Sequence, residues 1–216
     1  MTTTPRIACE PIATVVETAQ ADTEFKASLR HTMRAVRTDL PTPSRTAYDA
    51  AIAANIECWL AQHPVASLGV YWPIRGEPNL HGLYTRLALK GMALALPKVV
   101  GRELPLQFLA WTPGEEMTID RAGIATPVKI APVLPQALLI PCVAFNAENY
   151  RLGYGGGYYD RTLAKAPHIT SIGVAYECTK TRFAAAGHDV AMQVIVTERA
   201  ERPSAKLESD DARSPS

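Results

Sequence analysis

Between residues 23 and 199 the apolar side chains change repeatedly from a helical to a strand-like spacing. Helices are predicted over 24–37, over 44–60 with Ser44 as N-cap, over 80–90 and over 158–165. One face of the first helix collects the apolar residues Phe25, Leu29, Met33 and Val36. Strands are predicted over 67–72, 92–96, 106–111, 137–145, 170–176 and 193–197.

Strands that alternate with helices favour an α/β fold, with a largely parallel sheet and helices on both of its faces. The run over 137–145 is almost continuously apolar, which is typical of a strand that is buried on both faces. Such sheets bind their ligands at the carboxyl ends of the strands. A functional site is therefore expected in the loops that follow the strands.

The length and composition fit one domain with short extensions. The chain has 216 residues, a mass of 23.4 kDa and 47% hydrophobic residues, which is enough apolar material for a sizeable core. The first and last segments show no sustained apolar period. We therefore predict a domain over 23–199 between disordered tails over 1–22 and 200–216.

The charges and the cysteines narrow the function classes. Lys and Arg number 22 against 21 Asp and Glu, so the chain lacks the basic surplus of a nucleic-acid-binding protein. No apolar run has the length of a membrane helix, and the N-terminus does not resemble a secretory signal. The four cysteines are scattered, without metal-ligand spacing. We expect a cytoplasmic monomer that binds neither nucleic acid nor a membrane.

The most informative segment is a glycine-rich loop, which reads Arg-Leu-Gly-Tyr-Gly-Gly-Gly-Tyr-Tyr-Asp-Arg over 151–161. It follows the most apolar predicted strand and precedes a short predicted helix. Successive backbone amides in such a loop can form an anion nest, to which the helix adds the positive end of its dipole. Neither standard phosphate-binding motif matches, so a turn that only lets strand and helix pack closely is the alternative.

A basic stripe lies on the first predicted helix at Lys26, Arg30, Arg34 and Arg37. Charge stripes on helices are most often solvated faces. The functional alternative is that Lys26 and Arg30 reach anionic oxygens held by the glycine-rich loop. Arg34 and Arg37 lie further along the helix and are expected to stay in solvent, so their replacement by alanine is expected to change little.

Three further candidates come from loops. Glu77, just past a predicted strand, can accept hydrogen bonds from the N–H groups of a heterocycle, and Trp72 can supply a flat wall. Asp160 and Asp189 can together hold Mg²⁺, which binds one or two carboxylates with phosphates and water. Taken alone, a loop glutamate such as Glu77 is more often an ordinary surface residue, and Asp189 fits an ordinary turn aspartate equally well.

Together these segments resemble the 5-formyltetrahydrofolate cyclo-ligase family, also called 5,10-methenyltetrahydrofolate synthetases. Residues 140–146, Ile-Pro-Cys-Val-Ala-Phe-Asn, followed by the glycine-rich loop are similar to the signature P-G-x-x-F-D-x-x-G-x-R-L-G-x-G-x-G-Y-Y-D. Supporting matches occur in the family's order at 26–30, Glu77, 96–98, Asp189 and 194–198. The resemblance spans about residues 25 to 198.

The resemblance implies an ATP-dependent, Mg²⁺-requiring cyclisation of 5-formyltetrahydrofolate to 5,10-methenyltetrahydrofolate, which releases ADP and phosphate. It also implies a fold like that of sugar-phosphate isomerases and CoA-transferases. No covalent nucleophile is expected. The implied ATP contacts are Lys26, Arg30, Arg151, Leu152, Gly153, Tyr154, Gly155, Gly156, Gly157, Tyr158 and Tyr159. The implied contacts with the reduced folate are Trp72, Glu77, Tyr154 and Tyr158, and the implied Mg²⁺ ligands are Asp160 and Asp189.

The chain departs from the signature at five positions. Cys142, Asn146 and Tyr150 stand where the family has glycine, aspartate and a turn glycine. Tyr154 and Gly156 occupy positions that some members fill with basic residues, which places more of the phosphate binding on Lys26, Arg30 and Arg151. Two other functions stay open at this point: a sugar-phosphate isomerase on the same fold, and a non-catalytic relative that binds folate or a nucleotide.

Overall fold

The computed structural model describes residues 12–199 and 201–203, and side chains from residue 21 to residue 199. This part of the chain contains four α-helices and one 3₁₀ turn at Glu177–Thr179. The helices are α1 (Ile12–Thr38), α2 (Thr42–Gln62), α3 (His81–Leu89) and α4 (Tyr158–Lys165). None of the helices in the described ranges is long and apolar enough to cross a membrane.

Eight strands of the described chain form one mixed sheet, in the order β12–β11–β10–β7–β1–β2–β3–β6. Its five central strands, from β11 to β2, are parallel, whereas β12, β3 and β6 are antiparallel to their neighbours. The strands of the sheet are β1 (Ser67–Gly69), β2 (Ala93–Lys98), β3 (Gln107–Trp111), β6 (Pro132–Val133), β7 (Ala137–Pro141), β10 (Thr170–Val174), β11 (Val194–Val196) and β12 (Glu201–Pro203).

Two short two-stranded sheets lie outside the main sheet. One pairs β4 (Met117–Ile119) with β5 (Ala125–Pro127), and the other pairs β8 (Ala144–Phe145) with β9 (Arg151–Leu152). Neither pair, nor β6, was predicted. Two- and three-residue strands carry too short an alternation of apolar and polar side chains to be distinguished from loops.

The core lies on both faces of the main sheet. On one face, α2 and α3 pack against strand residues such as Leu139, which is paired with Ile172 of the neighbouring strand. On the other face, α4 contributes Leu163 to a cluster with Leu138 and Ile140. Adjacent residues of β7 thus point into different clusters, as the pleat of a strand requires. The predicted α/β fold with helices on both faces is confirmed.

The predicted strand over 137–145 is divided in two. The chain leaves the main sheet after Pro141: the amide of Cys142 still donates to Val174 of β10, at 2.9 Å, but that of Val143 donates to Leu152 of β9, at 2.9 Å. All residues over 142–145 are buried. Apolar periodicity reports burial and not the partner strand, so the sequence could not show this change of partner.

Two predicted boundaries differ from the structure. Helix α2 begins at Thr42, with Pro41 in the N-cap position, so the assignment of Ser44 as N-cap is wrong. Pro43 lies in the first turn of α2, where a residue without an N–H group is tolerated. Helix α1 begins at Ile12, within the predicted N-terminal tail, and no Gly or Pro interrupts residues 12–40.

The C-terminal prediction also differs at one place. Strand β12, at residues 201–203, lies in the predicted tail and pairs with the edge of the sheet at β11. Residues 1–11, 200 and 204–216 lie outside the described part of the chain, so the remainder of both predicted tails stays a prediction.

Candidate active site

A cavity of about 570 Å³ opens beside the carboxyl ends of the parallel strands. Its wall contains every residue that the sequence assigned to a site. Those residues come from the first helix, the loop after β1, the glycine-rich loop with the start of α4, and the segment before β11. They are Lys26, Arg30, Trp72, Glu77, Arg151, Leu152, Gly153, Tyr154, Gly155, Gly156, Gly157, Tyr158, Tyr159, Asp160 and Asp189.

The glycine-rich loop requires glycine for its shape. Gly155 and Gly157 have φ angles of 90° and 63°, which side-chain-bearing residues rarely adopt, and Gly157 is the N-cap residue of α4. At Gly156, a Cβ atom would lie 2.7 Å from the Tyr158 ring. A basic side chain at this position would therefore require that ring to move.

Two cations of α1 reach this loop and its surroundings. The Nε of Arg30 donates to the carbonyl oxygen of Gly153 at 2.8 Å. The Nζ of Lys26 lies 3.1 Å from a carboxylate oxygen of Asp22 and 3.7 Å from one of Asp189. We call the region formed by Lys26, Arg30, Arg151, the loop 153–157, Asp160 and Asp189 the loop end of the cavity.

Helix α1 buries the first and last residues of its basic stripe more deeply than any residue of its apolar stripe, which was not expected for Arg37. The other members of the two stripes, apart from the exposed Phe25, are half-buried: Leu29, Arg30, Met33, Arg34 and Val36. Phe25 is 52% exposed, whereas Lys26 is buried and Arg37 is only 1% exposed. The reason is the position of the helix, which contacts loops at the carboxyl end of the sheet. These loops present carbonyl oxygens and a carboxylate, at Gly153, Arg75 and Asp189 among others, and such groups attract cations.

Arg151 and Asp160 form an ion pair behind the loop. The Nη2 of Arg151 lies 2.9 Å from the Oδ1 of Asp160, and its Nη1 donates to the carbonyl oxygen of Val190 at 3.2 Å. The amide of Val190 donates in turn to Asp160 at 3.2 Å. Asp160 therefore compensates the charge of a buried arginine, a role that the sequence did not indicate.

The donor set at the loop end fits a hard divalent cation that a phosphate helps to hold. Asp160 and Asp189 both line the cavity, with side chains that are 20% and 21% exposed. Among the described residues no group of three or more His, Cys, Asp or Glu side chains could hold a metal ion by itself. Because Mg²⁺ commonly takes one or two carboxylates and completes its shell with phosphates and water, two carboxylates suffice.

Glu77 differs from the carboxylates of Asp160 and Asp189 because it is almost completely buried, with an exposed fraction of 4%. Its Oε2 accepts a hydrogen bond from the amide of Ile74 at 2.9 Å, and its Oε1 accepts one from the hydroxyl of Tyr154 at 2.8 Å. The same hydroxyl accepts a hydrogen bond from Arg37. We call Trp72, Glu77 and Tyr154 the buried end of the cavity; Arg37 contacts this end through Tyr154 but does not line the cavity.

Burial shifts two pKa values at the buried end. Loss of hydration raises the pKa of Glu77 above its ordinary value of 4.5, although its hydrogen bonds and the charges of Arg37 and Arg75 act in the opposite direction. Loss of hydration, together with the charge of Glu77, raises the pKa of Tyr154 to about 12. Tyr154 therefore stays protonated at neutral pH and donates its hydrogen to Glu77.

An aromatic and apolar lining completes the wall. The Trp72 ring contacts the His81 ring, with centroids 4.4 Å apart, and lies 6.3 Å from the Trp111 ring. Pro97, Val99, Leu106 and Ile124 supply further apolar surface. Flat heterocyclic rings bind well to such a lining.

Sequence reasoning missed three features of the site. It placed Arg37 in solvent, and it did not select Arg75, which lines the cavity with its Cζ 5.3 Å from the centroid of the Tyr154 ring. It also missed the loop 120–124, where Asp120 accepts hydrogen bonds from the amides of Ala122 and Ile124. In the sequence, the position of Arg75 two residues before Glu77 was the only indication that Arg75 could lie at the site.

Comparison with known proteins agrees with this geometry. A model of the 5-formyltetrahydrofolate cyclo-ligase family matches residues 22–198. The 5-formyltetrahydrofolate cyclo-ligase of Mycoplasma pneumoniae is 29% identical over 177 residues, which is 80% of this chain and 98% of that protein. The enzyme of that name from Haemophilus influenzae is 27% identical over 165 residues, 73% of this chain and 88% of that protein.

Solved structures show the same relationship. The 5,10-methenyltetrahydrofolate synthetase of Aquifex aeolicus superposes with a TM-score of 0.73 and 30% identity, over 88% of this chain and 96% of that one. That of Mycoplasma pneumoniae gives a TM-score of 0.67 and 27% identity, over 80% and 98%. With the family model covering most of its length, the chain belongs to the 5-formyltetrahydrofolate cyclo-ligase family and is an enzyme of that type.

Proposed function

We propose that the two ends of the cavity bind the two substrates of an ATP-dependent cyclisation of 5-formyltetrahydrofolate to 5,10-methenyltetrahydrofolate. The ATP phosphates would occupy the loop end, and the reduced folate the buried end. The observation that carries this proposal is the meeting, in one cavity, of a cation-flanked glycine-rich loop with a buried carboxylate beside an aromatic wall.

At the loop end, backbone amides and the start of α4 would hold the phosphates, and Lys26, Arg30 and Arg151 would supply positive charge. Arg30 is already fixed by its hydrogen bond to Gly153, and Arg151 by its ion pair with Asp160. Cations held in this way need little reorganisation when an anion arrives.

Asp160 and Asp189 would hold Mg²⁺ in company with those phosphates. A bound divalent cation would neutralise negative charge on the phosphate oxygens. Both carboxylates now have cationic neighbours, Arg151 and Lys26, at 2.9 and 3.7 Å. On loading, Lys26 would exchange its contact with Asp189 for a phosphate oxygen, which frees that carboxylate for the metal.

At the buried end, Glu77 would accept hydrogen bonds from the amino and ring N–H groups of the folate heterocycle. The aromatic wall at Trp72, with Tyr154 and Tyr158, would contact its ring system. One buried carboxylate that accepts two N–H groups gives both affinity and orientation. The formyl group would then project toward the phosphates at the loop end.

The chemistry requires positioning more than a protein nucleophile. A formamide oxygen is a poor leaving group, so transfer of the γ-phosphoryl group to that oxygen activates the formyl carbon as an iminium phosphate. N10 of the same folate then attacks the carbon and loses its proton to solvent, and expulsion of phosphate leaves the methenyl bridge. Catalysis of phosphoryl transfer rests mainly on alignment and charge neutralisation, which the loop end is built to provide.

Two further features belong to the proposal. We propose that the enzyme acts as a monomer in the cytoplasm, in keeping with the free thiols of Cys58, Cys142 and Cys178.

The family match favours the cyclo-ligase over a sugar-phosphate isomerase, and the retention of Lys26 and Glu77 in the cavity favours it over a non-catalytic relative.

The direct test mixes the purified protein with 5-formyltetrahydrofolate and Mg·ATP and follows the near-ultraviolet absorbance of the methenyl product. We expect product only when both ATP and a divalent cation are present. Parallel reactions omit ATP or add a chelator. Product formed at the full rate in the chelator reaction would contradict the proposed use of a metal.

A further inference from the structure

Arg37 is the largest fully buried side chain of the described structure, yet it does not line the cavity. Its guanidinium donates to three different loops at the carboxyl end of the sheet. Nε donates to the carbonyl oxygen of Arg75 at 3.0 Å, Nη1 to that of Cys142 at 3.4 Å, and Nη2 to the hydroxyl of Tyr154. One side chain of α1 thus connects the loops after β1 and β7 with the glycine-rich loop.

The direction of these hydrogen bonds fixes the proton of Tyr154. A guanidinium can only donate, so the Tyr154 hydroxyl must accept from Arg37 and turn its hydrogen toward Glu77. Glu77 therefore accepts at both of its oxygens, from Tyr154 and from the amide of Ile74. Acceptance at both oxygens favours the ionised carboxylate over the protonated carboxyl group.

We propose that Arg37 is a positioning residue for the reduced folate: through the Tyr154 hydroxyl it orients the Glu77 carboxylate and keeps it as a hydrogen-bond acceptor. This inference rests on the proposed role of Glu77 toward the folate. Arg37 has no access to the ligand itself, so its whole effect passes through Tyr154 and Glu77. The charge of Arg37 adds to this effect, because a buried cation stabilises a buried anion.

The experiment compares Arg37→Met, Tyr154→Phe and the double variant. The readouts are the dissociation constant of 5-formyltetrahydrofolate without ATP, by titration calorimetry, and the separate KM values for folate and ATP. We expect Arg37→Met to weaken folate binding at least about tenfold, as loss of a charge-assisted hydrogen bond does. The KM for ATP should change less than about threefold.

The double variant distinguishes positioning from general damage. If Arg37 acts through the hydroxyl of Tyr154, then Arg37→Met should weaken folate binding by no more than about threefold when Tyr154 is already phenylalanine. Fully additive effects of the two changes would contradict the proposal. Equal losses of folate and ATP affinity would also contradict it, because they would indicate a disturbed cavity as a whole.

Two further variants control for stability. Arg45→Met removes an arginine that donates to the carbonyl oxygens of Thr38 and Leu40, away from the cavity, so it should lower Tm but leave folate binding unchanged. Arg37→Lys keeps the charge and is expected to bind folate better than Arg37→Met. If both Arg37 variants fail to fold while Arg45→Met folds, Arg37 is a residue of the fold and the proposal is wrong.

Measurements of folate binding and of product formation distinguish a wrong role for Arg37 from a wrong proposed reaction. If the wild-type protein binds 5-formyltetrahydrofolate but forms no product, the proposed reaction is wrong, and the binding data still test Arg37. If the wild-type protein forms product and Arg37→Met binds folate with unchanged affinity, only the role of Arg37 is wrong.

Discussion

The two ends of the cavity handle charge in different ways. At the loop end, the acids Asp160 and Asp189 are partly exposed and have cationic neighbours, Arg151 and Lys26. At the buried end, Glu77 is almost completely buried, and a tyrosine hydroxyl stands between it and the buried guanidinium of Arg37. The groups at the loop end could exchange partners on binding the proposed phosphates and metal, whereas the hydrogen bonds at the buried end are already in place.

This difference suits the two proposed ligands. Phosphates carry full charges, which are attracted over several ångströms and tolerate some variation in geometry. A folate heterocycle offers neutral N–H groups, which bind well only when an acceptor already stands at the correct position. We therefore expect changes at the loop end to affect ATP and turnover, and changes at the buried end to affect folate.

The largest effect is expected for Asp160→Ala, which should abolish turnover because it removes a proposed metal ligand. The variant should still bind 5-formyltetrahydrofolate without ATP. Its Tm should fall, since the buried Arg151 loses its ion-pair partner. Product formation is measured at saturating Mg²⁺, with the exposed Asp39→Ala as the matched control. Near wild-type turnover of Asp160→Ala would show that this residue does not bind the metal.

Glu77→Gln should lower kcat/KM for 5-formyltetrahydrofolate at least about 100-fold, because it weakens two charge-assisted hydrogen bonds. The KM for ATP should be little changed. The Tm at pH 7 should not fall: burial raises the pKa of Glu77, so its ionisation destabilises the folded state above the pKa of the unfolded chain. Exposed Glu103→Gln is the control, and a larger effect on ATP than on folate would reverse the assignment of the two ends.

The cations of α1 provide a third test, with an effect of about tenfold. Lys26→Ala and Arg30→Ala should each raise the KM for ATP by about tenfold, the usual loss for one charge-assisted phosphate contact. Arg34→Ala, on the same helix but outside the cavity wall, should change it little. Steady-state kinetics at varied ATP and saturating folate measure all three, and equal small changes would mean that other cations serve the phosphates.

The smallest of the expected effects is on the pH dependence of kcat/KM for 5-formyltetrahydrofolate. The raised pKa of Glu77 predicts that kcat/KM for folate falls as the pH decreases through a value above 4.5, because the carboxylate becomes protonated. Loss of the Arg37 charge in Arg37→Met should move this fall to higher pH, since Arg37 and Arg75 favour the ionised form. If Glu77→Gln shows the same pH profile of kcat/KM as the wild-type protein, the fall is due to the titration of another group.

Local sequence was sufficient where short segments act by themselves. The buried strand run ahead of 151–161, and the run of glycines within it, predicted the loop that the structure places at the cavity. Two of its glycines have the positive φ angles that only glycine adopts easily. The alternation of strand and helix also predicted the α/β fold, because the spacing of apolar side chains distinguishes a helix from a strand within each segment.

Helix α1 marks the limit of such reasoning. Its apolar stripe did not show that Arg37 is more deeply buried than any of the four apolar residues, of which Phe25 is exposed. Periodicity identifies which residues share a face but not what that face meets, and here it meets carbonyl oxygens at the ends of strands. Arg37 is buried because α1 crosses over those loops, and this crossing is a property of the tertiary structure.

The sequence by itself determined the elements, the glycine-rich loop and the chemistry-bearing residues, because these depend on neighbours along the chain. The tertiary structure decided which of them work together. Arg37, Glu77 and Tyr154 are separated by 40 and 77 residues, yet hydrogen bonds connect all three in the order Arg37, Tyr154, Glu77. No local pattern encodes such a contact, since it arises only when the parallel sheet brings its loops to one edge.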